Sequence, residues 1–237
     1  YDVRRDGLNL GEACGAILLS SKGNDTDIIL SGGAISNDAN HISGPSRTGD
    51  GLYLAIRQAM EEAAVLAEDV SFMNTHGTAT VYNDEMESKA IHLAGLETVP
   101  VHSLKSYFGH TLGASGVIES IICIHELKEN VLFGTLGYEK PGVSMPILVQ
   151  ADHQEIPMKH CIKTASGFGG CNAAIVLTLP AYQKQPSRVQ SSVTVHTTAT
   201  VSIENSCLSM NGETVFSSSA PNFAQFIREA YKNTGGS

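Results

Sequence analysis

The sequence lacks the features that membrane proteins and nucleic-acid-binding proteins need. No apolar run approaches the roughly 20 residues that cross a bilayer, and the first six residues contain no signal-peptide apolar segment. No basic cluster occurs, and 24 Asp and Glu against 15 Lys and Arg give a net charge of -9. We therefore expect a soluble cytoplasmic protein with no nucleic-acid partner and no membrane partner.

The cysteines form no pattern of the kind used for disulfide frameworks, redox motifs or zinc sites. Their number is odd, no Cys-x-x-Cys pair occurs, and we expect reduced thiols. Cys14 and Cys123 lie inside apolar runs and are predicted to be core residues. The five positions are Cys14, Cys123, Cys161, Cys171 and Cys207.

Strand and helix patterns alternate along the first 129 residues. Leu52, Ile56 and Met60, for example, have the spacing of a helix. This alternation predicts an α/β fold with a layered sheet. Buried strands are predicted at 11–20, 27–36, 70–75 and 100–103, and helices at about 50–67, 83–96 and 114–129.

The second half of the chain has a different pattern. Strands are predicted at 161–165 and 174–178, with a glycine-rich reversal at 167–170 between them. We expect a domain over residues 1–180, a linker over 181–192 and a small tail unit of unknown role over 193–237. Within the tail, Asn211-Gly212 predicts a hairpin and residues 223–231 a short helix.

Lys105 and His110 flank small residues at the start of a predicted helix, and His76 follows a predicted strand. Each residue alone has an ordinary explanation, since strand-end histidines are usually packed and lysines are usually solvated. Together with the 167–170 loop they converge on one rim of a sheet, where α/β proteins tend to bind ligands. A zinc site is less well supported, because His76 and His110 lack a third ligand at metal spacing.

Four ordered motifs resemble the C-terminal half of a β-ketoacyl-[acyl-carrier-protein] synthase, over about residues 2–179. The first is Arg5-Asp6-Gly7-x-x-x-Gly11-Glu12. The others are His76-Gly77-Thr78-Ala79-Thr80 with Asp84 and Glu87, then Lys105-Ser106-x-x-Gly109-His110-x-x-Gly113-Ala114-x-Gly116 with Glu119, then Gly167-Phe168-Gly169-Gly170-x-Asn172.

The resemblance implies a thiolase-like layered αβαβα fold, here mainly its C-terminal half plus the small tail unit. It implies decarboxylative Claisen condensation of an acyl thioester with malonyl-acyl carrier protein, in fatty-acid or polyketide-type synthesis, without a cofactor or metal. His76 and His110 would donate hydrogen bonds to the developing enolate. The implied partners are acyl carrier protein and an N-terminal ketosynthase half or partner subunit, in a homo- or heterodimer.

The resemblance also implies roles for the residues around the two histidines. Lys105 would be the third catalytic residue beside the two histidines, and it would form a buried support pair with Glu119. Phe168 would be a gating aromatic in a substrate loop that also contains Gly167, Gly169, Gly170 and Asn172. Asp84, Glu87, Thr78 and Thr80 would have supporting, structural roles.

The sequence departs from the family pattern at Ser166, Val81 and Cys171, where the family has Phe, Pro and Thr. The nucleophilic cysteine would lie in an absent N-terminal half, because no cysteine here follows a strand and opens a helix. We therefore expect the isolated chain to be inactive. A non-catalytic, chain-length-factor-like partner subunit is the alternative, and a thiolase-type degradative enzyme fits the Lys-x-x-x-x-His pair less well.

Two expectations concern assembly. The strand from Cys161 and the strand ending at Leu179 should lie beside a sheet that the absent half completes. Apolar stretches at 17–19 and 121–122 should then form part of a large apolar face in the isolated chain.

Overall fold

A computed structural model describes residues 1–184 and four strands beyond them. The helices are α1 (Asp50–Ala63), α2 (Val81–Leu93), α3 (Lys105–Phe108) and α4 (Ser115–Glu129). The strands up to residue 184 are β1 (Ala16–Ser20), β2 (Ile29–Asn37), β3 (Val70–Asn74), β4 (Val101–His102), β5 (Val131–Leu132), β6 (Gln154–Glu155), β7 (His160–Gly167) and β8 (Cys171–Thr178). The later strands are β9 (Val193–Ala199), β10 (Val201–Glu204), β11 (Cys207–Met210) and β12 (Glu213–Ser217).

Seven of these strands form one mixed sheet in the order β1-β9-β2-β8-β7-β3-β4. Strand β3 runs parallel to both of its neighbours, β4 and β7, and the remaining pairs are antiparallel. Strands β5 and β6 form a separate pair, and β10, β11 and β12 form a three-stranded sheet.

The sheet is covered by helices on both faces, because successive strand residues point to opposite sides. Met73 of β3 and Ile162 of β7 pack in one apolar cluster with residues of α1 and α2. Their neighbours Phe72 and Cys161 pack in a second cluster with residues of α4. This arrangement confirms the predicted layered α/β fold.

Helix α4 spans the predicted residues closely, whereas α1 ends four residues earlier than predicted. Ala64 terminates α1 by adopting a left-handed conformation with φ 53°, and its N–H donates to the carbonyl groups of Glu61 and Met60. Alanine and glutamate continue beyond this point, so composition alone does not mark the end of the helix.

The prediction of a buried strand over 11–20 is wrong in extent and in burial. Strand β1 spans five residues at the edge of the sheet, and Leu18 and Leu19 are 59% and 49% exposed. Cys14, which was predicted to lie in the core, is exposed, whereas Cys123 is buried as predicted. An apolar run does not reveal whether another layer covers it.

The prediction that β7 and β8 border a sheet completed by an absent half is also wrong. Strand β7 pairs with β3 and β8, and β8 pairs with β2 and β7. Both are interior strands whose partners come from this chain.

Strand β9 pairs with β1 and β2, so part of the expected tail adds to the main sheet. Strands β11 and β12 pair antiparallel with Met210 opposite Glu213, as the Asn211-Gly212 hairpin prediction requires. Linker residues 185–192 and the helix predicted over 223–231 lie outside the described residues, and the division at residue 180 stays a prediction.

None of the helices in the described part of the chain is long and apolar enough to cross a membrane.

Candidate active site

The four motifs meet at one edge of the sheet, and the first reaches it through the N–H of Gly11, which donates to the His110 carbonyl at 3.1 Å. His76 lies just after β3, Lys105 just after β4, and the 167–170 loop follows β7. Since β3 is parallel to β4 and β7, the carboxyl ends of all three strands lie at that edge. His76, His110 and Phe168 line an open cleft of about 2110 Å³ there. The predicted convergence is therefore observed.

His76 and His110 lie next to each other in the lining of this cleft. Their rings meet edge to face, with centroids 5.1 Å apart and an interplanar angle of 82°. His76 is buried and His110 is half-buried. The backbone N–H of Leu112 donates to Nδ1 of His110 at 3.2 Å, and Ser115 Oγ lies 2.9 Å from the same atom. Because a backbone N–H can only donate, the proton of the neutral His110 ring lies on Nε2.

Both imidazoles are held in the neutral form. Burial, followed by the positive charges of Lys105 and Lys163, lowers the pKa of His76 to about 2. Burial and Lys105 likewise lower the pKa of His110. Nδ1 of His76 is buried and has no hydrogen-bond partner among the described residues. The pair therefore offers neutral N–H donors at neutral pH.

Glu87 fixes the turn that carries His76. Its carboxylate accepts the backbone N–H groups of His76 at 2.8 Å and Gly77 at 2.7 Å, and also the side-chain amide of Asn83 at 2.8 Å. Gly77 has φ +44°, and a Cβ there would lie 2.5 Å from Cβ of Ser103. The turn thus requires both a carboxylate and a glycine.

Two further predicted supporting groups lie around this turn. Asp84 is fully buried on α2, with Oδ2 3.7 Å from Nε of Arg5. The hydroxyl groups of Thr78 and Thr80 are hydrogen-bonded to each other at 2.8 Å. Thr78, Thr80 and Asn83 also line the cleft.

Lys105 connects α4 to the strand end that carries His76. Its Nζ donates to Oε1 of Glu119 at 2.6 Å and to the carbonyl oxygen of His76 at 2.5 Å. Both side chains of the ion pair are buried. This geometry fixes the end of β3 relative to the helix that follows His110.

Sequence reasoning missed Lys163, a second buried lysine on the same carboxylate. Its Nζ lies 2.5 Å from Oε2 of Glu119 and donates to the carbonyl of Thr164 at 2.6 Å. The available sequence signal was a charged residue in the middle of the apolar strand 161–165, because lysine rarely lies in such a strand without a partner.

The glycine-rich loop presents Phe168 to the cleft with 85% of its surface exposed. Gly169 and Gly170 have φ of 85° and 74°, values that favour glycine. The amide of Asn172 donates to Oδ1 of Asp38 at 2.7 Å and accepts from Ser166 Oγ at 2.9 Å. Asp38, which links this loop to the end of β2, was not predicted from the sequence.

A buried group of possible metal-ligating side chains lies outside the cleft. Donor atoms of His102, Cys123 and Glu126 all lie within 4.8 Å of one another. Nε2 of His102 is 3.4 Å from Oε2 of Glu126, which is the contact of an ion pair. This group does not line the cleft and takes no part in the arrangement described above.

Comparisons with known proteins agree with the fold and with the motifs. Residues 28–139 match the family model described as "Beta-ketoacyl synthase, C-terminal domain". The chain is 33% identical to 3-oxoacyl-[acyl-carrier-protein] synthase 2 of Rhizobium meliloti, over 75% of this chain and 44% of that protein. It is 31% identical to a polyketide biosynthesis malonyl-ACP decarboxylase of Bacillus subtilis, over 75% of this chain and 44% of that protein.

Solved structures of ketosynthases also match this chain. A ketosynthase in complex with its chain length factor from Xenorhabdus doucetiae matches with a TM-score of 0.61 and 31% identity, over 64% of this chain and 39% of that one. The ishigamide ketosynthase/chain length factor matches with a TM-score of 0.65 and 25% identity, over 75% of this chain and 45% of that one.

The chain spans less than half the length of the curated relatives it matches. Residues 28–139, which the family model matches, include His76, His110 and Glu119. The chain therefore contains a C-terminal domain of the β-ketoacyl synthase family, with the thiolase-like fold of that family.

Proposed function

We propose that this chain is the C-terminal part of a 3-oxoacyl-[acyl-carrier-protein] synthase. The reaction is the decarboxylative Claisen condensation of an acyl thioester with malonyl-acyl carrier protein, in fatty-acid or polyketide-type synthesis. The proposal depends on one observation: the neutral rings of His76 and His110 lie with their centroids 5.1 Å apart in the lining of an open cleft. Such a pair suits a reaction in which negative charge develops on one oxygen.

The electron flow assigns the two histidines one task. The bond between the malonyl carboxyl carbon and Cα breaks, CO₂ leaves, and the electron pair moves onto the thioester oxygen as an enolate. N–H groups of His76 and His110 donate to that oxygen. The enolate carbon then attacks the acyl thioester carbon, a new carbon–carbon bond forms and a cysteine thiolate leaves. Each lost donor typically lowers such a rate by about 10² to 10³.

Neutral imidazoles fit this task better than imidazolium ions. A charged ring would bind the malonyl carboxylate and stabilise the group that has to depart as CO₂. A neutral N–H stabilises the enolate oxygen without that penalty. Burial of His76 and the nearby positive charges of Lys105 and Lys163 both favour the neutral form.

The nucleophilic cysteine is assigned to an N-terminal half outside this chain. Among the described cysteines, Cys171 lines the cleft but begins strand β8 rather than a helix. It therefore does not lie at a helix N-terminus, where catalytic cysteines are commonly found. On this proposal the isolated chain is inactive in condensation, and it works in a cytoplasmic homo- or heterodimer with acyl carrier protein as substrate carrier.

Phe168 is assigned the role of a gate. Its ring is exposed in the cleft, and the glycines beside it adopt conformations that few other residues share. These glycines allow the loop to move when acyl substrate is loaded. Hydrogen bonds of Asn172 to Ser166 and Asp38 anchor the base of the loop.

A chain-length-factor-like partner subunit is the alternative. Structures of ketosynthases with chain length factors are among the matches, and these support either role. A subunit that only binds a ketosynthase has no use for a buried lysine pair and two neutral histidines in a cleft. These residues favour the catalytic assignment.

A reconstitution experiment distinguishes the two roles. The chain is produced together with its N-terminal half, and formation of 3-oxoacyl-acyl carrier protein is followed by mass spectrometry. The catalytic role is supported if His110→Ala abolishes condensation and the control variant His92→Ala, on α2, leaves condensation intact. Condensation that proceeds equally with the His76→Ala and His110→Ala variants would assign the chain to the partner role.

A further inference from the structure

Glu119 is shared by two buried lysines that come from different parts of the fold. Lys105 of α3 contacts Oε1 at 2.6 Å, and Lys163 of β7 contacts Oε2 at 2.5 Å. The side chains of all three residues are at most 6% exposed. Two positive charges on one carboxylate leave this cluster with one net positive charge in the protein interior.

We propose that Lys163 is a positioning residue whose extra positive charge keeps His76 and His110 in the neutral donor form. The proposal deepens the proposed function, on which it rests for its catalytic meaning. It assigns a role to a residue outside the family motifs found in the sequence.

The fold places Lys163 close to the strand end that carries His76. In the parallel pair of β3 and β7, Lys163 lies opposite Asn74, two residues before His76. Lys105 bridges the remaining distance by donating to the His76 carbonyl. The charged cluster therefore adjoins the strand end that carries His76.

The excess charge is costly by itself, which indicates a role other than stability. Burial and the like charge of Lys163 both lower the pKa of Lys105, whereas Glu119 raises it. A single lysine would be enough to neutralise Glu119. The second lysine adds repulsion and desolvation that a neutral side chain at position 163 would avoid.

Among the described residues, the charged groups that act on the two histidines are Lys105, Lys163 and Glu119. Lys105, Lys163 and the other histidine lower the pKa of His76, and for His110 the same two lysines lower it whereas Glu119 raises it.

The three carboxylates of α2 are bound by other groups. Glu87 accepts the backbone N–H groups of His76 and Gly77, and Asp84 lies beside Arg5. Glu85 accepts the backbone N–H of Ser144 and contacts Lys89. Of the groups that face the rings, the lysines thus favour the neutral imidazoles, and Glu119 opposes them at His110.

The direct test is an NMR titration of the full chain. The Cε1–H resonances of the histidines are followed against pH in the wild type and in Lys163→Met. Loss of the nearby charge should raise the titration midpoint of His110 by about half a pH unit or more, roughly a threefold change in acidity. Lys159→Met, which removes an exposed lysine of the same segment, should leave the midpoint unchanged.

Two further measurements keep the test decisive. If Lys163→Met does not fold, Lys163→Gln keeps a hydrogen-bond donor near Thr164 and should give the same upward shift. In the reconstituted enzyme, the acid limb of the decarboxylation rate should move to higher pH in the variant. Unchanged histidine titration in a folded Lys163 variant would overturn the proposal.

The failure of this inference is distinguishable from failure of the proposed function. The titration needs no activity, so an unshifted His110 counts against Lys163 alone. A wild-type reconstituted enzyme that releases no CO₂ from malonyl-acyl carrier protein counts against the proposed function, whatever the titration shows.

Discussion

Lys105 and Glu119 form a buried ion pair whose lysine also donates to the carbonyl oxygen of His76 at 2.5 Å. The pair therefore joins helix α4 to the strand end on which the proposed chemistry depends. Because Lys163 shares the same carboxylate, removing Glu119 has consequences that removing either lysine does not have.

Glu119→Gln should destabilise the fold strongly. The substitution leaves Lys105 and Lys163 buried with no carboxylate between them, and uncompensated buried charges of this kind cost about 3 to 5 kcal/mol. Urea unfolding measures the loss, with the exposed Glu129→Gln of the same helix as control. Equal stability of the two variants would show that the buried cluster contributes little.

Lys163→Met should destabilise the fold much less than Glu119→Gln does. It leaves Lys105 and Glu119 as a neutral pair, and it removes the repulsion between the two lysines. The double variant Glu119→Gln with Lys163→Met should regain part of the stability lost in Glu119→Gln, since one buried charge is then removed as well. If the loss of unfolding free energy in the double variant equals the sum of the losses in the two single variants, the two lysines do not share the Glu119 carboxylate.

His102 should give the fold a measurable dependence on alkaline pH. Burial alone would lower its pKa, but Glu126 and Cys123 outweigh burial and raise it to about 9. A raised pKa stabilises the fold below the unfolded value of 6.5, and this contribution is lost as pH rises through about 9.

The predicted loss between pH 6.5 and pH 9 is on the order of 3 kcal/mol. His102→Gln should be less stable at pH 6.5 and should show a flatter dependence over this interval. The difference in unfolding free energy between wild type and variant, measured at both pH values, checks the prediction. If the difference in unfolding free energy between wild type and variant is the same at pH 6.5 and pH 9, His102 is not charged in the folded protein.

The turn after β3 should tolerate no side chain at Gly77. Gly77→Ala combines a left-handed φ of +44° with a Cβ only 2.5 Å from Ser103, so the His76 backbone must shift. Gly95→Ala is a matched control, because Gly95 has φ +68° but nothing within 4 Å of an added Cβ. We expect about 1 kcal/mol of destabilisation for Gly95→Ala and clearly more for Gly77→Ala.

The same comparison has a functional readout. Gly77→Ala should lower decarboxylation in the reconstituted enzyme, since the shift displaces His76. Gly95→Ala should leave the rate unchanged. Similar rates for both variants would mean that the turn does not position His76.

The layered fold, and the edge of the sheet at which the candidate site lies, could be predicted from the sequence because both depend on local patterns. The apolar spacing of α4 and the alternation of strands and helices are visible in the residues themselves. The loops that carry His76 and Lys105 follow neighbouring parallel strands, so their convergence follows from the topology.

The missed features depend on contacts between residues far apart in the chain. Lys163 is a partner of Glu119 only because β7 packs against α4, and Asp38 meets Asn172 across the β2–β8 pair. The exposure of Leu18 and Leu19 reflects the edge position of β1, which the apolar run does not encode.

The central claim is that His76 and His110 stabilise the enolate formed by decarboxylation. Its most direct test is release of labelled CO₂ from malonyl-acyl carrier protein by the reconstituted enzyme, with acylation of the cysteine measured separately. The account predicts that His76→Ala and His110→Ala each lower CO₂ release by about 10² to 10³ while acylation proceeds normally. Normal CO₂ release together with lost acylation in these variants would contradict it.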